Sequence, residues 1–175
     1  MESTPDNPNV DTLNEIGVLK RREIEARIVA PLIERFAEEF GEEKVVELAR
    51  ETVVDVARSQ GKVLAEAMGG NDLEKFADSM ENWTKGGALQ IEIREQSETT
   101  FAVDVVRCQY AEMYRNLDVP ELGALLSCNR DGTMVEGFNS DIKFERTQTI
   151  MSGAEHCDFR YSLDSKEVDV EINKT

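Results

Sequence analysis

The spacing of apolar residues changes period once, at Ala88, and this switch constrains the fold more than any other feature of the chain. Before it, Leu13, Ile16, Leu19, Ile24, Ile28, Leu32, Ile33 and Phe36 recur at the three- and four-residue steps of an amphipathic helix, and Val45, Leu48, Val53, Val56, Val63, Leu64 and Met68 repeat the pattern. After it, Leu89, Ile91 and Ile93 alternate with Gln90, Glu92 and Arg94, the period of a half-buried strand. Helices in the first half and strands in the second predict an α+β fold, with long N-terminal helices packed on a C-terminal antiparallel β-sheet with inserted helices.

Glycine and proline punctuate the pattern. Pro31 has no amide hydrogen to donate, which predicts a kink or break near Val29 in the first helix, and Gly41 ends that helix. A second helix over 42–68 stops at Gly69 and Gly70, with Gly61 expected to loosen its middle. Asn71 or Asp72 caps a third helix carrying Leu73, Phe76, Met80 and Trp83, which closes at Gly86 and Gly87. A turn at Gln96, Ser97 and Glu98 predicts a hairpin whose second strand turns Phe101, Val103 and Val105 to one face and Ala102, Asp104, Val106 and Cys108 to the other. Helices follow over 109–116 and from Pro120 through Leu122, Leu125, Leu126 and Cys128 to Gly137. Strands are predicted over 142–150 and 157–163, with Val168, Val170 and Ile172 in a weak edge strand. The expected organisation is a flexible tail over 1–10 and one domain over 11–175, helical over 11–86 and a sheet over 87–175 with helices inserted at 109–138.

Charge narrows the partners. The 36 acidic against 20 basic residues give a net charge of −16, which repels phosphate backbones and anionic headgroups, so neither nucleic acid nor a membrane surface is expected. No apolar run approaches the roughly 18 residues of a membrane span, and the first residues lack a secretory signal, which predicts a cytoplasmic protein. There the three cysteines stay reduced, as ligands, nucleophiles or packing groups. The long N-terminal helices offer a surface for a homo-oligomer.

Each cysteine has polar company. His156, the one histidine, precedes Cys157 and is a candidate base or ligand for it, although neighbours on a strand face opposite ways and direct pairing needs an irregular backbone. Packing of Cys157 in line with Phe159 and Tyr161 is the alternative. Cys108 stands where a strand yields to a helix, and Glu112, four residues on, shares its face if the helix starts there. Cys128 and Asp131 are three apart, with Glu136 and Asn139 beyond, a spacing that also suits an ordinary polar turn. No paired-cysteine zinc motif is present, so a metal, with zinc the natural candidate, would need Cys108, Cys128, His156 and Cys157 gathered from distant segments. Tyr110, Met113, Tyr114, Met134, Phe138, Met151 and Phe159 are candidates to line an apolar pocket, and Arg107, Arg130, Arg146 and Arg160 to hold a carboxylate.

The ordered series Cys108-Gln109-Tyr110-Ala111-Glu112-Met113-Tyr114, Pro120-Glu121-Leu122-Gly123, Cys128-Asn129-Arg130-Asp131, Glu136-Gly137-Phe138-Asn139, Arg146-Thr147-Gln148-Thr149 and His156-Cys157-Asp158-Phe159-Arg160-Tyr161 resembles the L-2-amino-thiazoline-4-carboxylic acid hydrolase family. The resemblance covers about 13–163, and its specific part is 108–161. The C-terminal pattern is also similar to 4-vinyl reductase-like small-ligand domains. The resemblance implies opening of a small nitrogen-containing heterocycle, a cyclic amidine or imide, by addition of water at the amidine or carbonyl carbon. The family's three cysteine positions are present as Cys108, Cys128 and Cys157, whereas Gly132-Thr133 stands where a bulkier apolar residue is expected. On this reading Cys157 or Cys108 attacks the ring, Asp131, Glu112 or His156 moves protons, and Arg130, Asn139, Tyr110 and Arg160 bind the substrate. A zinc-bound water is the variant mechanism. A non-catalytic small-ligand or metal-binding sensor module is the alternative function.

Overall fold

Two helices form an antiparallel pair across the single residue Gly41, whose φ of 91° belongs to the left-handed region that glycine alone enters cheaply: α1, Val18–Phe40, and α2, Glu42–Ala67. The structure is a computed structural model that describes residues 16–164. The predicted tail over 1–10 and the edge strand at Val168, Val170 and Ile172 lie outside the described residues. Pro31 does not break α1, contrary to expectation. It sits on the exposed side of the helix, as does Arg27, where the carbonyl left without a donor reaches water. The buried line of α1 is Arg22, Ala26, Ala30 and Ile33, and three of those four side chains are apolar.

Asp72 caps the next helix, α3 (Leu73–Ser79), by accepting the Lys75 amide at 2.9 Å. Met80 and Trp83 fall outside it, Trp83 in the short turn α4 (Glu81–Thr84). The sheet begins where the period changes. Strands β1 (Leu89–Gln96), β2 (Thr100–Cys108), β3 (Ile142–Glu145) and β4 (Cys157–Leu163) form one antiparallel sheet in the order β1-β2-β4-β3. Between β2 and β3 the chain makes α5 (Gln109–Asn116), the short α6 (Pro120–Gly123), a single π turn at Ala124–Cys128, and α7 (Arg130–Phe138). The fold is thus the expected α+β arrangement of N-terminal helices and a C-terminal antiparallel sheet with inserted helices.

Strand β3 stops at Glu145 rather than running to Ile150. The Asp158 carboxylate accepts the amides of Thr147 and Gln148 at 3.0 and 2.9 Å, so those donors serve a side chain instead of a ladder. On the outer face of the sheet, buried Asp104 accepts from Arg94 at 2.6 Å and from Arg160 at 2.8 Å. The inner face packs Phe101, Val103, Val105, Cys157, Phe159 and Tyr161 against α3 and α7, forming one core. A second core lies among α1, α2, α5 and the π turn, around Ala26, Val53, Tyr114, Leu122 and Leu126. The opposite side of the helical pair exposes Ile24, Ile28, Leu32, Phe36 and Phe40, one residue per turn of α1, with Leu48, Val56 and Val63 of α2.

Gly61 does not loosen α2. A methyl group there would stand 2.1 Å from the Met134 carbonyl oxygen and 2.7 Å from the Phe138 amide nitrogen, and one at Gly137 would stand 2.1 Å from the Arg58 carbonyl oxygen. The two glycines let α2 and α7 meet backbone to backbone. A mid-helix Gly→Ala change in open space stabilises by about 0.5–1 kcal/mol. Here the sign reverses: Gly61→Ala and Gly137→Ala should each cost about 3 kcal/mol or more, measured by urea unfolding. Gly132→Ala, facing the Phe144 ring at 3.0 Å, should cost less because a ring can yield.

Candidate functional site

A cavity of about 90 Å³ lies between the helical layer and the inner face of the sheet, and all three cysteines line it. Each arrives by a different local device. Along β2 the register passes from Gln90↔Arg107 to Ile91↔Val105, so Val106 is an extra residue, a bulge. Val106 and Arg107 both point outward and Cys108 turns back to the face of Val105, the opposite of the assignment that plain alternation gives. Cys157 lies across from Val105 on β4, at the start of an alternation that buries Phe159 and Tyr161 with it. Cys128 ends the π turn, in which the Asn129 amide reaches back to the Ala124 carbonyl at 3.0 Å. That extra residue in the turn helps to aim Cys128 into the cavity.

Asp131, Arg130 and Met134 enter from α7, Arg22 from α1, Tyr110 from α5, and Arg146 from the segment after β3. Arg146 is held from several sides. Its Nη1 makes a short bond to the Asp131 carboxylate, its guanidinium reaches the Cys128 carbonyl at 3.4 Å, and it lies 5.5 and 5.8 Å from the ring centres of Phe159 and Phe144. Asp158 positions it by fixing the backbone of Thr147 and Gln148. Gly132, flagged as a departure from the family pattern, leaves room for Phe144 under this arginine.

Several expected residues lie elsewhere. His156 is not gathered with the thiols. It lies in the bend just before β4 and is bonded to the Gln148 side chain at 3.0 Å. Glu112 pairs with Arg107 at the surface at 2.8 Å. Asn139 donates to the Asn71 carbonyl at 2.8 Å, tying the end of α7 to the loop before α3. Arg160 belongs to the Asp104 pair on the outer face of the sheet. Of the apolar candidates, Met134, Met151, Tyr110 and Phe159 line the cavity, whereas Met113 and Tyr114 pack in the second core and Phe138 in the first. Among the described residues no group of three or more His, Cys, Asp and Glu side chains is arranged to hold a metal ion, so the expected zinc ligands do not form a set.

Arg22 is the residue that the sequence reading missed. Its signal was present: a cation stands in the four-residue line Val18, Arg22, Ala26, Ala30 that otherwise carries the buried face of α1. The side chain is 4% exposed, and its Nη1 donates to Glu25 at 2.6 Å.

Burial sets the protonation states. It pushes the Cys108 thiol up to about 11, against the Ala111 amide that donates to its sulfur at 3.4 Å. Cys128 is driven higher by burial and then by Asp131. Cys157 is also raised by burial, with the Ile150 amide donating to its sulfur at 3.2 Å and Arg146 both opposing the rise. Asp131 is raised by burial to about 6 in spite of Arg146. Burial and then Arg22 bring Arg130 down to about 10, which leaves it charged. At neutral pH the cavity therefore holds three neutral thiols, three guanidinium groups and a carboxylate that is mostly ionised. Iodoacetamide at pH 7.5 should label the cysteines of the native protein at least about 100-fold more slowly than an exposed thiol. Because Asp131 raises all three thiols, Asp131→Asn should speed the labelling, which peptide mapping would follow.

The comparisons with known proteins agree with this picture at the level of family and fold. No curated protein matches the chain. Among solved structures, the fold is similar to trafficking protein particle complex subunit 3 from Naegleria fowleri, solved covalently bound to palmitic acid, with a TM-score of 0.50 and 9% identity over 83% of this chain and 96% of that one. The phenol-responsive sensory domain of the transcription activator PoxR, solved with phenol, aligns at a TM-score of 0.49 and 9% identity over 77% of this chain and 72% of that one. The family described as L-2-amino-thiazoline-4-carboxylic acid hydrolase matches residues 21–161, a span that takes in Arg22, Tyr110, Asp131, Arg146 and all three cysteines of the cavity. The chain belongs to the L-2-amino-thiazoline-4-carboxylic acid hydrolase family.

Proposed function

We propose that the chain is a hydrolase that opens a small, acidic, nitrogen-containing ring, a cyclic amidine or imide, with Cys157 as nucleophile and Asp131 as the group that moves protons. One observation carries this reading: Cys108, Cys128, Cys157, Asp131 and Arg146, scattered over 50 positions of the sequence, line a single cavity. Its volume of about 90 Å³ suits a ligand of one ring. Three guanidinium groups around it, in a chain of net charge −16, favour an anion. The free state of the described cysteines suits a reducing, cytoplasmic setting.

Cys157 is preferred over its two companions because it alone combines a backbone donor to sulfur with the field of Arg146. Its neutral resting state requires a base, and Asp131, with a midpoint near 6, is ionised at pH 7 and able to serve. Sulfur adds to the ring carbon while its proton passes to Asp131. That proton then goes to the ring heteroatom as its bond to the same carbon breaks. Water attacks the sulfur-linked carbon, giving a proton to Asp131, and Cys157 departs and recovers that proton as the free thiol. The sum is ring plus water to the opened product, with the protein unchanged. No step is routed through a metal, for which donors do not assemble among the described residues.

The raised thiols also favour a second reading, a sensor that binds such a ring without turning it over. Incubation with a panel of cyclic amidines and imides, 2-amino-thiazoline-4-carboxylate among them, separates the two by mass spectrometry of the products. The hydrolase should show kcat/KM rising with pH through about 6 as Asp131 ionises. Asp131→Asn should lower kcat about 10²- to 10⁴-fold and remove that limb. Cys157→Ala should abolish turnover, and Cys128→Ser should retain most of it. Ligand-induced thermal stabilisation without product from any ring would favour the sensor.

A further inference from the structure

One of the side chains lining the cavity carries a buried polar atom that the fold leaves unanswered. Tyr110 is 6% exposed, and its hydroxyl has no hydrogen-bond partner among the described residues, alone among fully buried side-chain polar atoms there. An orphaned hydroxyl costs about 1–3 kcal/mol relative to a satisfied one. Packing does not require it, since phenylalanine fills the same space.

Counting donors around the cavity singles out one cation. Arg146 spends Nη1 on Asp131 and both terminal nitrogens on the Cys128 carbonyl. Arg130 gives Nε to the Leu126 carbonyl at 2.9 Å and Nη1 to Gln60 at 3.1 Å, and its Nη2 stands 3.6 Å from Glu25. Arg22 has a single hydrogen-bond partner among the described residues, Glu25, engaged through Nη1, so the Nε and Nη2 edge of the fork makes no hydrogen bond to them. Glu25 itself is shared with Arg21 and Arg130 and does not neutralise Arg22 alone. Arg22 lies close enough to Tyr110 to act on its phenol electrostatically, and both side chains line the cavity.

We propose that Arg22 and Tyr110 form the anion-binding subsite of this cavity, in which the unpartnered edge of the guanidinium and the orphaned hydroxyl grip the carboxylate of a small-ring acid. A planar fork meets a carboxylate with two parallel hydrogen bonds, and the phenol supplies a third donor to it. Arg146 is then left to hold Asp131 in place, a positioning role. Substrate selection accordingly falls to α1, outside the segments that carry the cysteines. The assignment rests on the reading of the cavity as a substrate site, but it requires binding only, not turnover.

Titration calorimetry with thiazole-4-carboxylate and its neutral isostere thiazole-4-carboxamide tests it, because neither aromatic ring can be opened. The wild-type protein should prefer the acid by about 30- to 100-fold, the range expected for charge-assisted hydrogen bonds. Arg22→Gln should bring acid and amide within about threefold of each other, Tyr110→Phe should weaken the acid about five- to tenfold and leave the amide unchanged, and Arg146→Gln should keep the preference. Arg22→Lys, which keeps the charge and loses the fork, covers the case in which the glutamine variant does not fold, and should retain less than a tenth of the acid affinity. Full acid preference in either Arg22 variant, or none in the wild type, overturns the proposal. Turnover of an acidic ring with the preference intact in Arg22→Gln would remove the subsite and keep the hydrolase. Acid preference that depends on Arg22, with no ring turned over, would do the reverse.

Discussion

The contact between Gly61 and Gly137 sets the geometry on which the rest of the structure depends. Without Cβ atoms at these positions the two helices close until carbonyl oxygens of one lie against the backbone of the other. Helix α2 thereby becomes a fixed rail for α7, and α7 carries Arg130, Asp131 and Met134 into the cavity. Side chains reinforce the contact across the same interface, through Arg58 to Glu136 at 3.3 Å and Gln60 to Arg130 at 3.1 Å. A helix placed an ångström farther from the sheet would separate Asp131 from Arg146, which is anchored from the sheet side by Asp158.

Upon this frame the cavity inverts the electrostatics of the molecule. The surface is strongly acidic, whereas the cavity gathers three guanidinium groups against Asp131 and the neighbouring Glu25. Burial keeps the thiols protonated and lifts Asp131 toward neutrality, so under the proposed mechanism the same apolar surroundings that silence the sulfurs at rest would prepare a base for one of them. An anion entering this site meets cations that are already desolvated and held by other bonds, and little reorganisation is needed to bind it.

Much of this arrangement is legible in the sequence, for reasons that differ by residue. The period change at Ala88 marks the boundary between helices and sheet because burial on one face imposes a different repeat on each. The cap at Asp72 and the hairpin turn at Ser97 are local, and local chemistry betrays them. The role of Gly61 is hidden in the sequence because a glycine that weakens a helix and one that admits a neighbour look alike until the neighbour is known. Plain alternation places Cys108 on the wrong face because the bulge at Val106 breaks the repeat and has no mark in residue type. His156 and Glu112 stand out through proximity along the chain, yet Gln148 holds one and Arg107 claims the other. Arg146 could not be told from three other arginines, since its role comes from Asp158 twelve residues later, across a turn. Arg22 is a charge on an apolar line of α1, a signal that lies in no motif.

The central claim is that Cys157 forms a transient bond to the substrate carbon in this cavity. Acid quenching during turnover of a cyclic amidine, followed by intact-mass and peptide mass spectrometry, tests it most directly. The account predicts a mass increase equal to one substrate on the peptide containing Cys157, accumulating within one turnover and vanishing as substrate is exhausted. Turnover that proceeds with no such species, and that survives in a protein lacking Cys157, would contradict it.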